Sequence, residues 1–261
     1  MLNLKQLLEN ARRALLRLPQ PSGMTPTKYF EWPAATALLV AFFCAAAADP
    51  ASADGIAQSE PRVAINNPGE SVADYLACFR DSDVMLITGH RGGPGPGYPE
   101  NALETFAYLL AHGPMLIETD VRKTSDGQLV LLHDETLDRT TTGTGPVAEK
   151  TLAQIKALKL IDNDGKETSF RIPTLTQALA WARGRAILQL DVKPGVDIER
   201  VAAEVATAQA QSFAVVIAYS LADAMTVAAV DKNLTISAEI VDTQQLDKLT
   251  AAGIREDRIM A

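Results

Sequence analysis

Short apolar segments that alternate with helix-like segments constrain the fold more than any other feature of this sequence. From residue 84 onward, six apolar segments of strand length end in polar residues: "VMLITGH", "MLIETDV", "QLVLLHD", "AILQLDVK", "FAVVIAYS" and "LTISAEIV". Helix-like segments lie among them at residues 102–112, 151–160, 175–183, 198–211, 221–230 and 243–252. Nearly continuous apolar strands that alternate with helices are typical of a parallel sheet covered by helices.

The number of these units favours a TIM-type (β/α) barrel over a doubly wound sheet. No G-x-G-x-x-G motif opens a helix after the first predicted strand, so a dinucleotide-binding fold has no support. The segment "DRIMA" at residues 257–261 predicts a seventh strand, and no eighth follows it. Because a (β/α)₈ barrel closes only with eight strands, we expect a barrel truncated at its C-terminus before strand 8. Its first strand should then lie at an exposed edge.

Residues 1–55 predict an N-terminal export segment that precedes the barrel. The uncharged apolar stretch at residues 34–48 is shorter than the roughly 20 residues of a membrane-spanning helix and fits a signal peptide. Small residues follow, and we expect cleavage after Ala53. Met24 would start a signal peptide of ordinary length, with residues 1–23 as an extra leader. The protein is therefore expected to be exported, periplasmic or secreted, and the alternative is a membrane-anchored protein that keeps this segment. Residues 56–83 are read as a linker into the barrel at residues 84–261.

Charge and cysteine content argue against two classes of protein. The formal net charge of −8 disfavours a nucleic-acid-binding protein, because such proteins rely on basic surfaces. The two cysteines make a disulfide framework or a cysteine zinc site improbable on composition alone. We therefore expect a small-molecule partner, with membrane contact only through an uncleaved N-terminal segment.

Carboxylates follow the predicted strands at the end where parallel barrels carry their active sites. Glu118 and Asp120 lie two residues apart and so share one face of a strand, and Asp191 shares a face with Lys193. Three carboxylates that converge would repel one another unless a cation neutralised them. Hard oxygen ligands suit Mg²⁺ or Ca²⁺. The alternative is a set of solvated carboxylates at the starts of loops.

Two histidines and two further cations come from the same strand ends. His90 and His133 each end an apolar segment and could serve as a general acid and a general base, or each could be a structural histidine. Arg91 could bind phosphate oxygens with its planar fork and Lys193 as a point charge, although Lys193 could instead pair with Asp191. With a divalent metal, these groups indicate cleavage of a phosphoryl ester.

The assembled motifs resemble the glycerophosphodiester phosphodiesterase family. The resemblance covers "HRGGPGPGYPENALETF", "LIETDVRKTSDGQLVLLHDETLDRTTTGTGPV", "IPTLTQAL" and "LDVKPG", in order, between residues 86 and 195. It implies a TIM barrel with a small insertion after the third strand, here at about residues 134–170. It also implies metal-dependent hydrolysis of glycerophosphodiesters to an alcohol and glycerol 3-phosphate.

Site roles carried over by position follow from this resemblance. The implied metal ligands are Glu118, Asp120 and Asp191, the implied acid–base pair is His90 and His133, and the implied phosphate-binding residues are Arg91 and Lys193. The Gly- and Pro-rich loop after His90 could also bring Asn101 to the phosphate as a substrate-binding residue. Asp191 stands where the family usually has glutamate, and Ala102 replaces a usual threonine. Two other functions stay open at this point: a related lyase for phospholipid head groups that stops at a cyclic phosphate, and an inactive exported phosphodiester-binding protein.

Overall fold

The structure is a computed structural model that describes residues 72, 75–76, 86–113, 115–240 and 242–260. The predicted export segment at residues 1–55 and nearly all of the linker at residues 56–83 lie outside the described residues. The predictions of a leader, a signal peptide, an anchor and these domain boundaries therefore stay predictions. In the part of the chain that is described, no helix combines the length and the apolar character needed to cross a membrane.

The described residues form one mainly parallel sheet. Its strands are β1 (Thr88–Gly89), β2 (Leu116–Lys123), β3 (Leu129–Leu131), β4 (Leu188–Val192), β5 (Ala214–Ala218), β6 (Thr235–Ala238) and β7 (Ile259–Met260). The order is β1-β2-β4-β5-β6-β7, and every pair along this path is parallel. Each of the six predicted apolar segments contains one strand, and the predicted seventh strand is also present.

The predicted orientation of the third strand is wrong. β3 pairs antiparallel with the last residues of β2, through Val121 opposite Leu131 and Lys123 opposite Leu129. The connection is a tight turn in which Gly127 has a φ of 76° and donates its N–H to Thr124 O at 2.9 Å. A parallel pair needs a crossover of about a dozen residues or more, and the link between these strands is much shorter. The length of this link was a sequence signal for a hairpin.

Each predicted helix-like segment contains a helix, and the helix in the segment at residues 151–160 is only 5 residues long. They are α1 (Leu103–Leu110), α2 (Leu152–Lys156), α3 (Leu175–Ala182), α4 (Ile198–Thr207), α5 (Leu221–Val230) and α6 (Thr243–Ala251). Side chains cap five of these helices by accepting backbone N–H groups: Thr151, Thr174, Asp197, Ser220 and Asp242. Such caps satisfy donors that the first helical turn leaves unpaired, so each helix starts at a defined residue after the preceding strand or loop.

The main core lies between the parallel strands and their helices. Leu188 and Leu190 of β4 and Val216 of β5 are buried in one cluster with Leu179 of α3 and Val201 of α4. This is the β/α alternation of a TIM-type barrel, as predicted. Within the described residues, β1 and β7 form the two edges of the sheet. The expectation about an eighth strand concerns the end of the chain and stays a prediction.

The segment predicted as an insertion has a small core of its own. Leu137, Val147, Ile155 and Leu160 are buried in a cluster that also contains Ala102, just before α1. A 3₁₀ turn at Val147–Glu149 and the short helix α2 lie in this segment. Because the small core includes Ala102, the segment packs against the loop that leads from β1 into α1. It therefore helps to fix the loop that carries the histidine–arginine motif.

Candidate active site

Three buried carboxylates lie together on two neighbouring strands. Glu118 and Asp120 come from β2, and Asp191 comes from β4, where it is the register partner of Asp120. One oxygen atom from each residue lies within 4.8 Å of the other two. Because successive side chains of a strand alternate between its faces, the spacing of Glu118 and Asp120 and the parallel register together bring the three groups to one place.

The electrostatics of these three groups, here called the carboxylate trio, favour a bound cation. Burial, together with the nearby charges of Asp120 and Asp191, raises the pKa of Glu118 to about 7. The buried Oδ1 atom of Asp191 has no hydrogen-bond partner. Buried carboxylates that repel one another and leave an acceptor unsatisfied match the oxygen-donor set that Mg²⁺ and Ca²⁺ prefer.

Lys193 neutralises part of this negative charge. Its Nζ atom lies 2.7 Å from Asp120 Oδ1 and 2.6 Å from Asp191 Oδ2. Burial opposes the charged ammonium, but the hydrogen bonds to both carboxylates outweigh it and raise the pKa of Lys193. The sequence left open a salt bridge between Lys193 and Asp191, and that bridge is present. Phosphate binding by Lys193 stays a prediction.

Arg91 joins the loop after β1 to the carboxylate trio. Its backbone N–H donates to Glu118 Oε2 at 2.6 Å, and its guanidinium Nε lies 3.8 Å from Asp120 Oδ2. Its Nη1 also forms a salt bridge of 3.2 Å with Glu100 Oε2. Arg91 has a φ of 52°, in the left-handed region that non-glycine residues adopt uncommonly. Such backbone strain is concentrated at functional sites.

The glycine after Arg91 permits close packing with α1. Gly92 has a φ of 83°, and a Cβ atom placed there would lie 2.3 Å from the ring of Phe106. A side chain at this position would therefore displace the loop from the helix. The backbone at Gly92 thus lies close to Phe106, and Gly92 fixes the position of Arg91 indirectly.

Asn101 lies against β2 and holds Asp120. It is fully buried, and its Nδ2 donates to Asp120 Oδ2 at 2.7 Å. Its Oδ1 accepts from Thr119 Oγ1 at 2.6 Å and from the backbone N–H of Asp120 at 3.0 Å. The predicted contact of Asn101 with phosphate stays a prediction, whereas the observed contacts orient a member of the carboxylate trio.

The two predicted acid–base histidines have different surroundings. His90 is exposed and lies in the same 3₁₀ turn as Arg91. The Nδ1 atom of His133, just after β3, lies 2.7 Å from Asp134 Oδ1. Since a carboxylate only accepts, Nδ1 of His133 carries the proton in this contact. The Nε2 atom of His133 is then the nitrogen left for proton transfer, and the acid–base roles of both histidines stay predictions.

A charged group that sequence reasoning missed connects His133 to Arg91. Arg139 donates from Nε to Asp134 Oδ2 at 2.6 Å and from Nη2 to Glu100 Oε1 at 2.8 Å. Glu100, His133 and Asp134 offer ligand atoms within 4.8 Å of one another, and the guanidinium of Arg139 already supplies a cation to both of these carboxylates. The resemblance covered residue 139, but its spacing from residues 100 and 134 gave no signal that the three would meet.

Comparison with known proteins identifies the family. Residues 90–254 match the model of the Glycerophosphoryl diester phosphodiesterase family. The chain belongs to this family. Its resemblance to the family, inferred above from motifs, is thus confirmed, and so is the TIM-type fold class. The motif residues His90, Glu118, Asp120, His133 and Asp191 all lie within the matched range.

Individual relatives and a solved structure agree with this membership. A glycerophosphodiester phosphodiesterase of Caldanaerobacter subterraneus is 39% identical over 113 residues, which are 42% of this chain and 46% of the relative. Glycerophosphodiester phosphodiesterase 1 of Mus musculus is 34% identical over 131 residues, 49% of this chain and 39% of the relative. This chain thus spans less than half the length of these relatives.

A crystal structure of a glycerophosphoryl diester phosphodiesterase from Parabacteroides distasonis is 38% identical, with a TM-score of 0.67. That similarity covers 74% of this chain and 68% of the other chain. A glycerophosphodiester phosphodiesterase structure from Agrobacterium tumefaciens is 31% identical, with a TM-score of 0.51, and covers 59% of this chain and 66% of that chain. The described sheet and helices are therefore those of a fold that the family shares.

Proposed function

We propose that this protein hydrolyses glycerophosphodiesters to an alcohol and glycerol 3-phosphate, in a reaction that depends on a divalent metal. The observation that carries the proposal is the carboxylate trio beside Lys193 and Arg91, in a chain that belongs to the glycerophosphoryl diester phosphodiesterase family. A site with buried acidic oxygens next to two cations suits a phosphodiester, because the phosphate brings its own negative charge and the metal brings compensating positive charge.

The metal would be held by Glu118, Asp120 and Asp191, and either Ca²⁺ or Mg²⁺ fits these oxygen donors. When bound, it would supply positive charge that favours ionised forms of nearby oxygens and polarises the phosphoryl group. The burial of the three ligands supports this proposal, since buried carboxylates need such a counter-charge. The side chain of Asp191 is shorter than that of the glutamate usual at this position. This difference affects whether Ca²⁺ or Mg²⁺ binds.

The remaining residues would bind the substrate and move protons. Arg91 and Lys193 would bind phosphate oxygens. One histidine, His90, would accept the proton of the glycerol 2-hydroxyl while that oxygen attacks phosphorus and forms a cyclic phosphate. His133 would give a proton to the departing alcohol oxygen. Water would then open the cyclic phosphate with the two proton transfers reversed, which regenerates both histidines.

Two other functions compete with this proposal. A lyase that acts on phospholipid head groups would stop at the cyclic phosphate, because water would not open the ring. An inactive binding protein would keep the phosphate contacts but lose turnover. The hydrogen bond between His133 and Asp134 favours turnover, since a carboxylate that orients an imidazole is the arrangement that acid–base catalysis uses.

Export of the protein to the periplasm or the extracellular medium is part of the proposal. The support is the short apolar stretch at residues 34–48 and the small residues that follow it. An uncleaved segment that anchors the protein to a membrane is the alternative.

The test is a product analysis with metal-depleted protein. Glycerophosphodiesters with choline, ethanolamine or inositol as the alcohol are supplied with Mg²⁺ or Ca²⁺, and free glycerol 3-phosphate is measured. Metal-dependent release of glycerol 3-phosphate is the expected result. Accumulation of a cyclic phosphate instead would favour the lyase, and saturable binding without turnover would favour the binding protein. The exposed carboxylate Glu149 gives a matched control, Glu149→Gln, for an Asp120→Asn variant that should lose activity.

A further inference from the structure

Arg139 makes paired hydrogen bonds to two carboxylates at once. Its Nε and Nη2 atoms donate to Asp134 Oδ2 and Oδ1 at 2.6 and 2.8 Å. Its Nη1 and Nη2 atoms donate to Glu100 Oε2 and Oε1 at 3.0 and 2.8 Å. A guanidinium can form such two-sided contacts because its donors lie in one plane, whereas a lysine offers a single point charge.

The first of these carboxylates orients a histidine. Asp134 Oδ1 accepts from His133 Nδ1 at 2.7 Å and also accepts from Arg139 Nη2. The hydrogen bonds from Arg139 and His133 hold the pKa of Asp134 far below its usual range, even though burial acts in the opposite direction. Asp134 is therefore an ionised acceptor whose position depends on Arg139 on one side and defines the imidazole ring on the other.

The second carboxylate orients an arginine in the loop after β1. Glu100 is only 4% exposed, and its oxygens accept from Arg139 and from Arg91 Nη1. A buried carboxylate needs such partners, because an unpaired buried charge is costly. Glu100 thus lies between two guanidinium groups, one of which belongs to the predicted phosphate-binding residue.

The backbone around Arg139 is itself fixed by the small core of residues 134–170. Leu137, two residues earlier, is almost fully buried, and its N–H donates to Gly145 O at 3.0 Å. Thr140 and Thr141 are buried as well, and Thr141 donates its N–H to Leu137 O at 3.1 Å. Although the side chain of Arg139 is 47% exposed, its Cα is therefore anchored.

We propose that Arg139 is a positioning residue that sets the relative placement of His133 and Arg91. Through Asp134 it fixes the imidazole with Nε2 available, and through Glu100 it fixes the guanidinium of Arg91. The segment between β3 and α3 would then assemble the site in addition to stabilising the fold. This inference rests on the proposed function, since it assigns His133 to proton transfer and Arg91 to phosphate binding.

The test compares Arg139→Met and Arg139→Lys with wild type. In Arg139→Met, the value of kcat for glycerophosphodiester hydrolysis should fall at least about tenfold, because misplacing an acid–base group forfeits part of its usual contribution of about 10²- to 10⁴-fold. Arg139→Lys should recover part of this loss, since it restores the charge but not the two-sided contact. A kcat of Arg139→Met within about twofold of wild type would overturn the inference.

A readout independent of turnover separates positioning from stability alone. The tautomer of the His133 imidazole is measured by nitrogen NMR in metal-free protein, with its signal assigned through a His133→Gln variant. In Arg139→Met the fraction of rings that carry the proton on Nδ1 should fall, because Arg139 no longer holds Asp134 in place to accept from that nitrogen. A tautomer fraction equal to that of wild type would refute the positioning role. This measurement stands even when wild type shows no hydrolysis, and that absence would refute the proposed function instead.

The matched control is Lys159→Met, which removes an exposed ion pair with Glu167 from the same segment. It should leave both kcat and the His133 tautomer unchanged. If Lys159→Met lowered kcat and changed the tautomer fraction as far as Arg139→Met does, a general loosening of the segment would explain both, and the specific role of Arg139 would be wrong.

Discussion

Replacing Glu118 with glutamine should weaken divalent-metal binding and, in the same variant, stabilise the metal-free protein above neutral pH. The three carboxylate oxygens lie within 4.8 Å of one another. At this separation and an effective dielectric constant of about 20, each pair of full charges repels by about 3.5 kcal/mol. Glutamine keeps the shape of the side chain but removes the charge of Glu118 from two of the three pairs.

The raised pKa of Glu118 gives the net cost of ionising this carboxyl group in the folded protein. Burial and the charges of Asp120 and Asp191 move this pKa from an ordinary 4.5 to about 7. Above about pH 7 the ionised Glu118 therefore lowers the free energy of unfolding by about 3 kcal/mol. The second figure is not the repulsion alone, because burial of Glu118 is its largest cause and the opposing effects of Arg91 and Lys193 reduce it.

The sign of the pH dependence follows from the direction of this shift. Below about pH 4.5 Glu118 is protonated in both the folded and the unfolded chain, so it contributes no difference. As the pH rises from about 4.5 to about 7, the unfolded chain loses the proton while the folded chain retains it, and stability falls. The stabilising effect of Glu118→Gln should therefore be small near pH 5 and approach about 3 kcal/mol near pH 8.

The assay combines urea unfolding of chelator-treated protein at about pH 5 and about pH 8 with calorimetric titration of Mg²⁺ and Ca²⁺. Metal affinity should fall at least about a hundredfold, because losing a direct ligand should cost more than the roughly 10- to 100-fold that outer-shell partners cost. Glu149→Gln, at an exposed site, should change neither quantity. Metal affinity within about tenfold of wild type, or equal stability at about pH 8, would refute the assignment of Glu118.

Three further predictions concern the histidines, Asn101 and export. His90→Ala and His133→Ala should each lower kcat at least about a hundredfold in the product assay, and near-normal turnover of either variant would remove that histidine from the mechanism. Asn101→Ala should lower the free energy of unfolding by about 3 kcal/mol or more in urea titrations, because it leaves three buried polar atoms without Asn101 as partner; a loss below about 1 kcal/mol would contradict this reasoning. Sequencing of the mature protein should give an N-terminus near Asp54, and an intact N-terminus on cytoplasmic material would contradict export.

The sequence predicted the parallel strands and the carboxylate trio because both depend on short-range regularities. Near-continuous apolar segments mark strands buried on both faces, and a spacing of two residues places Glu118 and Asp120 on one side of β2. Parallel register then aligns Asp120 with Asp191. The hairpin of β2 and β3 could also have been predicted from the sequence, since the link at residues 124–128 is too short for a crossover.

The contacts that the loop after β1 makes with β2 could not be predicted from the sequence, for a physical reason. Arg91 and Asn101 adopt φ values of 52° and 60°, in a left-handed region that asparagine favours more than most residues but that arginine adopts uncommonly. These two backbone conformations direct Asn101 toward Asp120 and bring the N–H of Arg91 to Glu118. The role of Asn101 in holding Asp120 follows from that geometry, and the motif alone suggested only a phosphate ligand.

The charged side chains of the site alternate in sign from one end to the other. The order of contacts is Lys193, Asp120, Arg91, Glu100, Arg139, Asp134 and His133. Such alternation lets buried charges satisfy one another, which isolated buried charges cannot do. The carboxylate trio lies near one end of this series and His133 lies at the other. A substitution between the two ends should therefore affect the positions of both. Arg139 joins Glu100 to Asp134 from the segment between β3 and α3, and the site therefore depends on that segment as well as on the strands.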